Sequence, residues 1–299
     1  MSSPDTELED TRGGLFFAFA AYGIWGVAPI YFVWVSFAQP LEVLAHRVVW
    51  GIPLLGLLLM VSGQWRGIKS LTPSVCGYLL ASAVFLSINW LTFIYAIQTA
   101  RIAEASLGYF INPLVNILLG WLFLHERLRP LQWLAVAVAA TGVGVELWAQ
   151  ASLPWLGLTL ALTFGFYGLL RKQVNVGAVV GLSVETVALA PLAAGYLVWL
   201  GQHEGVREFM AVLSLGLGGL ITVVPLVCFA AAAIRLSLTT LGFVQYLAPS
   251  CALMLAIFVY GETVPAERWI TFALIWGALI LFSFEGLYRF RKQRLEAGG

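Results

Sequence analysis

The sequence predicts an all-α membrane protein of ten transmembrane helices arranged as two inverted five-helix repeats. Three observations predict it: an apolar content beyond that of a soluble domain, ten apolar runs of spanning length with short connections, and a likeness between the fourth and ninth runs. The 299 residues are 61% hydrophobic and 10% charged, whereas an ordinary soluble domain is roughly 45–50% apolar and about 25% charged. No globular core hides that excess, so lipid must solvate most of the surface. The net charge of +1 points to neither nucleic acid nor an acidic partner.

Crossing a hydrocarbon layer of about 30 Å takes roughly 20 mostly apolar residues. Runs of that kind cover 14–36, 41–62, 74–99, 102–124, 131–149, 152–170, 179–201, 209–234, 237–261 and 269–287. The first run is preceded by Asp5, Glu7, Glu9 and Asp10, where a cleaved signal peptide would carry positive charge, so it reads as a retained helix behind a cytoplasmic tail, residues 1–13. The first repeat then occupies 14–149, the second 152–287, and a basic cytoplasmic tail 288–299. Connections this short leave no room for a soluble domain. Pro40, Pro73, Pro130, Pro154 and Pro265 fall at or beside span ends, where a missing N–H costs little. Pro29, Pro53, Pro113, Pro191, Pro225 and Pro249 fall inside spans, where a kink is expected and neighbouring helices must satisfy the freed carbonyls. Cys76, Cys228 and Cys251 lie in apolar runs without metal-ligand spacing and read as packing residues.

Orientation follows from Lys and Arg in short loops. One side carries Arg12, Arg66, Lys69, Arg127, Arg129, Arg171, Lys172, Arg235, Arg289, Arg291, Lys292 and Arg294, and the other only Arg101, Arg207 and Arg268. That bias places both termini of an inner (plasma) membrane protein in the cytoplasm.

The fourth span reads Arg101, Leu107-Gly108-Tyr109, Pro113 and Glu126; the ninth reads Arg235, Leu241-Gly242-Phe243, Pro249 and Glu262. Fainter echoes link Gly23–Gly26 with Gly165–Gly168, and Glu42 with Glu185. A repeat of five spans inserts its second copy upside down, and inverted repeats mark alternating-access carriers with a midplane site at the repeat interface.

Polar groups inside spans are functional candidates because lipid does not accommodate them. Glu42 and His46 lie four apart and share a helix face, suited to relaying a proton, while Arg47 points about 140° away from Glu42. These three and Glu185 are the candidate coupling residues, with protons as the coupling ion. An interfacial ion pair near the extracytoplasmic surface is an equal reading of the Glu42–His46–Arg47 cluster. Asn89, Trp90, Tyr109, Asn112, Gln245 and Tyr246 are the candidate substrate-binding residues: amides and aromatics beside Gly108 and Gly242 suit a pocket for an amphipathic solute. Amides also serve as interhelical glue. Glu126 and Glu262 end their spans and read as solvated or capping residues. The sequence holds no zinc-protease helix, no GxSxG and no phosphate-binding loop, so neither catalysis nor a cofactor is expected, and ATP does not drive movement from within the chain.

Several stretches resemble the EamA family of the drug/metabolite transporter superfamily, RarD-like group. They are Glu42-Val-Leu-Ala-His46-Arg47, Asn89-Trp90, Glu104 through Pro113, Phe164 through Lys172, Val184-Glu185-Thr186 and Leu241 through Pro249. The resemblance implies a ten-helix carrier of two inverted repeats with cytoplasmic termini, in agreement with the charge count. The expected function is a secondary transporter, or permease, moving a small organic metabolite or drug through the membrane, with export favoured. An importer or facilitator of the same fold is the alternative, and a membrane-embedded lipid-modifying enzyme or a non-transporting scaffold fits less well. Substrate, direction and oligomeric state are open.

Overall fold

The computed structural model describes residues 4–98, 102–150, 155–174, 176–205, 207–259 and 264–297, and these are helical apart from turns and short connections. In chain order the elements are α1 (Pro4–Trp34), α2 (Pro40–Val61), the short α3 (Trp65–Lys69), α4 (Pro73–Gln98), α5 (Ile102–Phe123), α6 (Pro130–Gln150), α7 (Trp155–Val174), α8 (Ala178–Glu204), α9 (Phe209–Ala233), α10 (Leu238–Gln245), α11 (Leu247–Phe258) and α12 (Ala266–Ala297). Among the described residues, eight segments are long and apolar enough to cross a membrane, and 108–123 of α5 is a shorter apolar stretch. α7 is apolar until Arg171 and Lys172 in its last turn.

Large apolar side chains face outward along the helices. Phe16, Met60, Leu192 and Phe284 are each more than 60% exposed, which a water-soluble protein avoids in contiguous patches and a lipid-facing surface requires. The protein is a multi-pass α-helical membrane protein.

The ninth predicted span is two helices. Tyr246 ends α10 and begins α11 with φ −62° and ψ −11°. Pro249 explains the break, because it has no N–H to offer the carbonyl of Gln245 and its ring crowds that carbonyl. Pro113, in the equivalent stretch of the first half, sits inside a continuous α5. Arg101 and Glu262, which anchored the likeness between these spans, lie outside the described residues.

The helix pairs form a pattern that survives exchange of the two halves. α5 packs on α7, and α10 and α11 pack on α1; α4 packs on α7, and α9 on α1; α2 packs on α9, and α8 on α4. α2 with α8, and α6 with α12, are self-equivalent pairs.

α6 and α12 carry the strongest mark of this relation. Arg129, at the start of α6, bonds Glu285 late in α12 at 2.8 Å, and Arg268, at the start of α12, bonds Glu146 late in α6 at 3.1 Å. The helices therefore run antiparallel, tied at both ends. Each Arg precedes its own helix's Glu by the same spacing in sequence. The residue three after each Arg completes the motif, since Gln132 Nε2 donates to Glu285 at 3.3 Å and Thr271 Oγ1 to Glu146 at 3.5 Å.

Candidate functional site

A narrow cavity lies where α2, α4, α8 and α9 meet. Its walls are Arg47, Val48 and Gly51 from α2, Leu86 and Trp90 from α4, Leu182, Glu185, Thr186 and Leu189 from α8, and Thr222, Val223 and Leu226 from α9. Two of these helices come from each half, and α2 and α8, and α4 and α9, exchange under the pattern above. The cavity measures about 10 Å³, room for about one water. An organic solute enters only if these helices separate.

Arg47 reaches the cavity because α9 lets α2 come close. A Cβ at Gly218 would stand 2.7 Å from Arg47 Cγ and 2.6 Å from the Tyr31 hydroxyl oxygen, and one at Gly219 would stand 2.8 Å from the Trp50 backbone carbon. Consecutive glycines thus remove the wall that a side chain would build. Arg47 Nε donates to Thr222 Oγ1 at 2.6 Å, and that hydroxyl donates onward to the Gly218 carbonyl at 2.6 Å. The guanidinium carbon lies 5.4 Å from the Phe32 ring centroid and 5.6 Å from that of Trp90, within cation–π range.

Glu185, on the α8 wall of the cavity, is fully buried. Ser82 Oγ donates to one carboxylate oxygen, Tyr167 donates to the other at 3.5 Å, and Arg171 Nη1 lies 3.5 Å away. Arg171 is itself fully buried, and its Nε and Nη1 have no hydrogen-bond partner among the described residues.

The remaining residues singled out in the sequence divide by location. Glu42 is buried and accepts two bonds from Arg207, from Nε and Nη2, both at 2.9 Å, so it pins the loop before α9 to the start of α2. That carboxylate holds the Arg207 guanidinium above its ordinary pKa, chiefly through the hydrogen bonds. His46 makes no bond to Glu42, and its Nδ1 is buried without a hydrogen-bond partner among the described residues. Tyr109 is half exposed on α5. The amides bridge helices. Asn89 Nδ2 donates to the Leu160 carbonyl at 2.9 Å and to Thr163 at 3.0 Å, joining α4 to α7. Asn112 Nδ2 donates to the Ala161 carbonyl at 3.1 Å, and Gln245 Nε2 to Asn112 Oδ1 at 2.8 Å. Asn116 donates to Gln245 Oε1 at 2.7 Å, and the Tyr246 hydroxyl donates to the Phe110 carbonyl at 3.3 Å.

Of the ten site residues expected from sequence, the cavity therefore gathers Arg47, Trp90 and Glu185, while Asn89 ties its α4 wall to α7 and Asn112, Gln245 and Tyr246 join α5 to α7 and α10, away from the lining. Thr222, Ser82, Tyr167 and Arg171 belong to the site and were not singled out. Glu126 is a cap for a distant helix: its carboxylate accepts from the backbone N–H groups of Leu238 and Thr239 at 2.6 and 3.0 Å, at the start of α10.

Among known proteins, the EamA-like transporter family profile matches residues 12–147. Protein RarD of Escherichia coli is 46% identical over 292 residues, covering 96% of this chain and 99% of that protein. An uncharacterized transporter of Vibrio cholerae is 46% identical over 95% of this chain and 96% of its own length, and the chloramphenicol-sensitive protein RarD of Pseudomonas aeruginosa is 33% identical over 94% and 96%. A solved crystal structure with 19% identity matches at a TM-score of 0.72, over 90% of this chain and 96% of that one, and shares the fold.

Proposed function

The chain belongs to the EamA-like transporter family, RarD-like group, and from that premise we propose that it is a secondary carrier moving a small organic solute across the bacterial inner membrane by alternating access. Ten spans in two inverted repeats, 14–149 and 152–287, form the machine, with both termini in the cytoplasm and export as the working direction. The observation that carries this reading is the cavity between α2, α4, α8 and α9, built from paired helices of the two halves, where a carrier of inverted repeats keeps its site. The reciprocal Arg–Glu ties of α6 and α12 support the inversion, because equivalent helices tied end to start must cross the membrane in opposite senses.

In this account Arg47, Trp90 and Thr222 contact the solute. Asn89 ties the α4 wall to α7, and Asn112, Gln245 and Tyr246 tie α5 to α7 and α10, the frame against which the cavity helices move. Glu185 couples proton movement to solute movement, since it is a buried carboxylate on the cavity wall held by two hydroxyl donors. His46, whose Nδ1 has no partner among the described residues, is the second relay. Glu42 serves as a closed ion pair with Arg207.

Counterflow tests the carrier function. Purified protein in vesicles preloaded with an unlabelled solute should accumulate the labelled form transiently, and Trp90→Ala should suppress this. A protein that yields no counterflow with any solute of a broad metabolite and drug panel is not such a carrier. Net accumulation in vesicles of known orientation separates export from import.

A further inference from the structure

The cavity holds an imbalance of charge that its own residues do not settle. Arg47 brings a guanidinium to its walls and Glu185 a carboxylate, and Arg171, which pairs with Glu185 from outside the lining, adds a second guanidinium. Glu185 is engaged by Arg171 at 3.5 Å and by the hydroxyls of Ser82 and Tyr167. Arg47 has no carboxylate within salt-bridge distance among the described residues. Its hydrogen bond among them runs from Nε to Thr222, and its terminal nitrogens donate to no described protein group.

A permanently charged guanidinium in a membrane interior is costly without a counter-charge. Such groups stay there when they pair with one another, with backbone carbonyls or with a ligand. The two aromatic faces beside Arg47, Phe32 and Trp90, stabilise the cation only partly, and they supply what an apolar ring or chain would stack upon. Thr222 fixes the guanidinium plane through Nε and leaves the Nη edge to form the parallel pair of hydrogen bonds that suits a carboxylate.

We infer that the transported solute is a small organic monoanion, a carboxylate with an aromatic or apolar body, whose charged head pairs with Arg47 and whose body stacks on Trp90. This inference rests on the carrier reading above. It also assigns a direction to the electrostatics of the transport cycle: the empty site carries an uncompensated positive charge through the membrane interior, and the loaded site does not. Loaded carrier therefore reorients more readily than empty carrier, which favours exchange over net movement.

The test uses three probes of matched shape and different charge: phenylacetate, phenylacetamide and phenethylamine. Their effects are read in two ways, as thermal stabilisation of purified protein and as uptake of the labelled compound into proteoliposomes. Phenylacetate should bind and exchange, with the amide and the amine at least about tenfold weaker, the scale set by one charge-assisted hydrogen-bonded pair. Arg47→Gln should lose phenylacetate binding by about tenfold to a hundredfold, and Arg47→Lys should retain part of it. Selectivity of the unaltered protein stands even if Arg47→Gln folds poorly. Equal or stronger exchange of the amide or amine would overturn the anion assignment and leave the carrier reading in place. Full phenylacetate affinity in Arg47→Gln would overturn the role of Arg47. Absence of exchange for all three probes would overturn the anion assignment, while counterflow of some other solute would still uphold the carrier.

Discussion

Replacing Glu185 by Gln leaves Arg171 as a buried cation without its carboxylate. Both side chains are essentially sealed from the surface and lie 3.5 Å apart, so neither gains solvent when its partner goes. Arginine does not shed its proton under any folded-state condition. The amide that replaces the carboxylate also turns one acceptor into a donor, so that either Ser82 or Tyr167 loses its acceptor. Breaking a buried pair from one side costs about 3–5 kcal/mol, and Glu185→Gln should lose that much unfolding free energy. Arg171→Met combined with Glu185→Leu removes both charges and should recover much of the deficit. The singles Arg171→Met and Glu185→Leu and this double should therefore couple by about 0.5–3 kcal/mol in a double-mutant cycle. Reversible unfolding of purified protein in mixed micelles, titrated with SDS, reads all of these proteins. If Glu185→Gln unfolds within about 0.5 kcal/mol of the unaltered protein, or if the single deficits add without coupling, the pair does not carry the load its burial implies. Gradient-driven transport should be lost in the stable double variant, because the titratable carboxylate is gone.

Three further outcomes follow from other parts of the molecule. Gly242→Ala places a Cβ 2.6 Å from the Pro113 carbonyl oxygen and should cost about 1–3 kcal/mol by overpacking, whereas Gly277→Ala, with nothing within 4 Å, should be near neutral in the same unfolding assay. A reporter active only in the cytoplasm should be active when fused after Gly299, and activity of a periplasm-only reporter there would reverse the assigned orientation. His46→Gln should abolish gradient-driven accumulation while sparing solute binding and exchange, and a normally pH-dependent His46→Gln carrier would make His46 structural.

The sequence revealed the helices more fully than the side-chain geometry inside them. Composition and run length place a helix within each of the ten predicted runs, because lipid demands the same property of every spanning segment. The break at Tyr246 was not legible: Pro113 and Pro249 stand in similar sequence surroundings, yet α5 runs on through Pro113 while the later helix breaks at Tyr246, just before Pro249. The amides show a second limit. Asn89, Asn112 and Gln245 are polar residues in apolar runs, and sequence does not say whether each faces a cavity or a neighbouring helix, since the azimuth depends on partners 71, 49 and 133 positions away. Glu42 likewise shares a helix face with His46 but meets Arg207 across 165 positions. One signal was present and unread. Arg129, Gln132 and Glu146 repeat in spacing as Arg268, Thr271 and Glu285, and charged residues that recur at the two ends of apolar helices are what an antiparallel pair of equivalent helices uses to tie itself.

The central claim is that the cavity between the two halves opens to each side of the membrane in turn. A single cysteine at Thr222, in a chain whose Cys76, Cys228 and Cys251 are replaced by Ala, reports on it directly, because Thr222 lines that cavity. A membrane-impermeant maleimide should label Thr222→Cys when applied from either side of oriented vesicles, and an exchanged solute should protect it on both. Labelling from one side only, with counterflow intact, would contradict alternating access at this site.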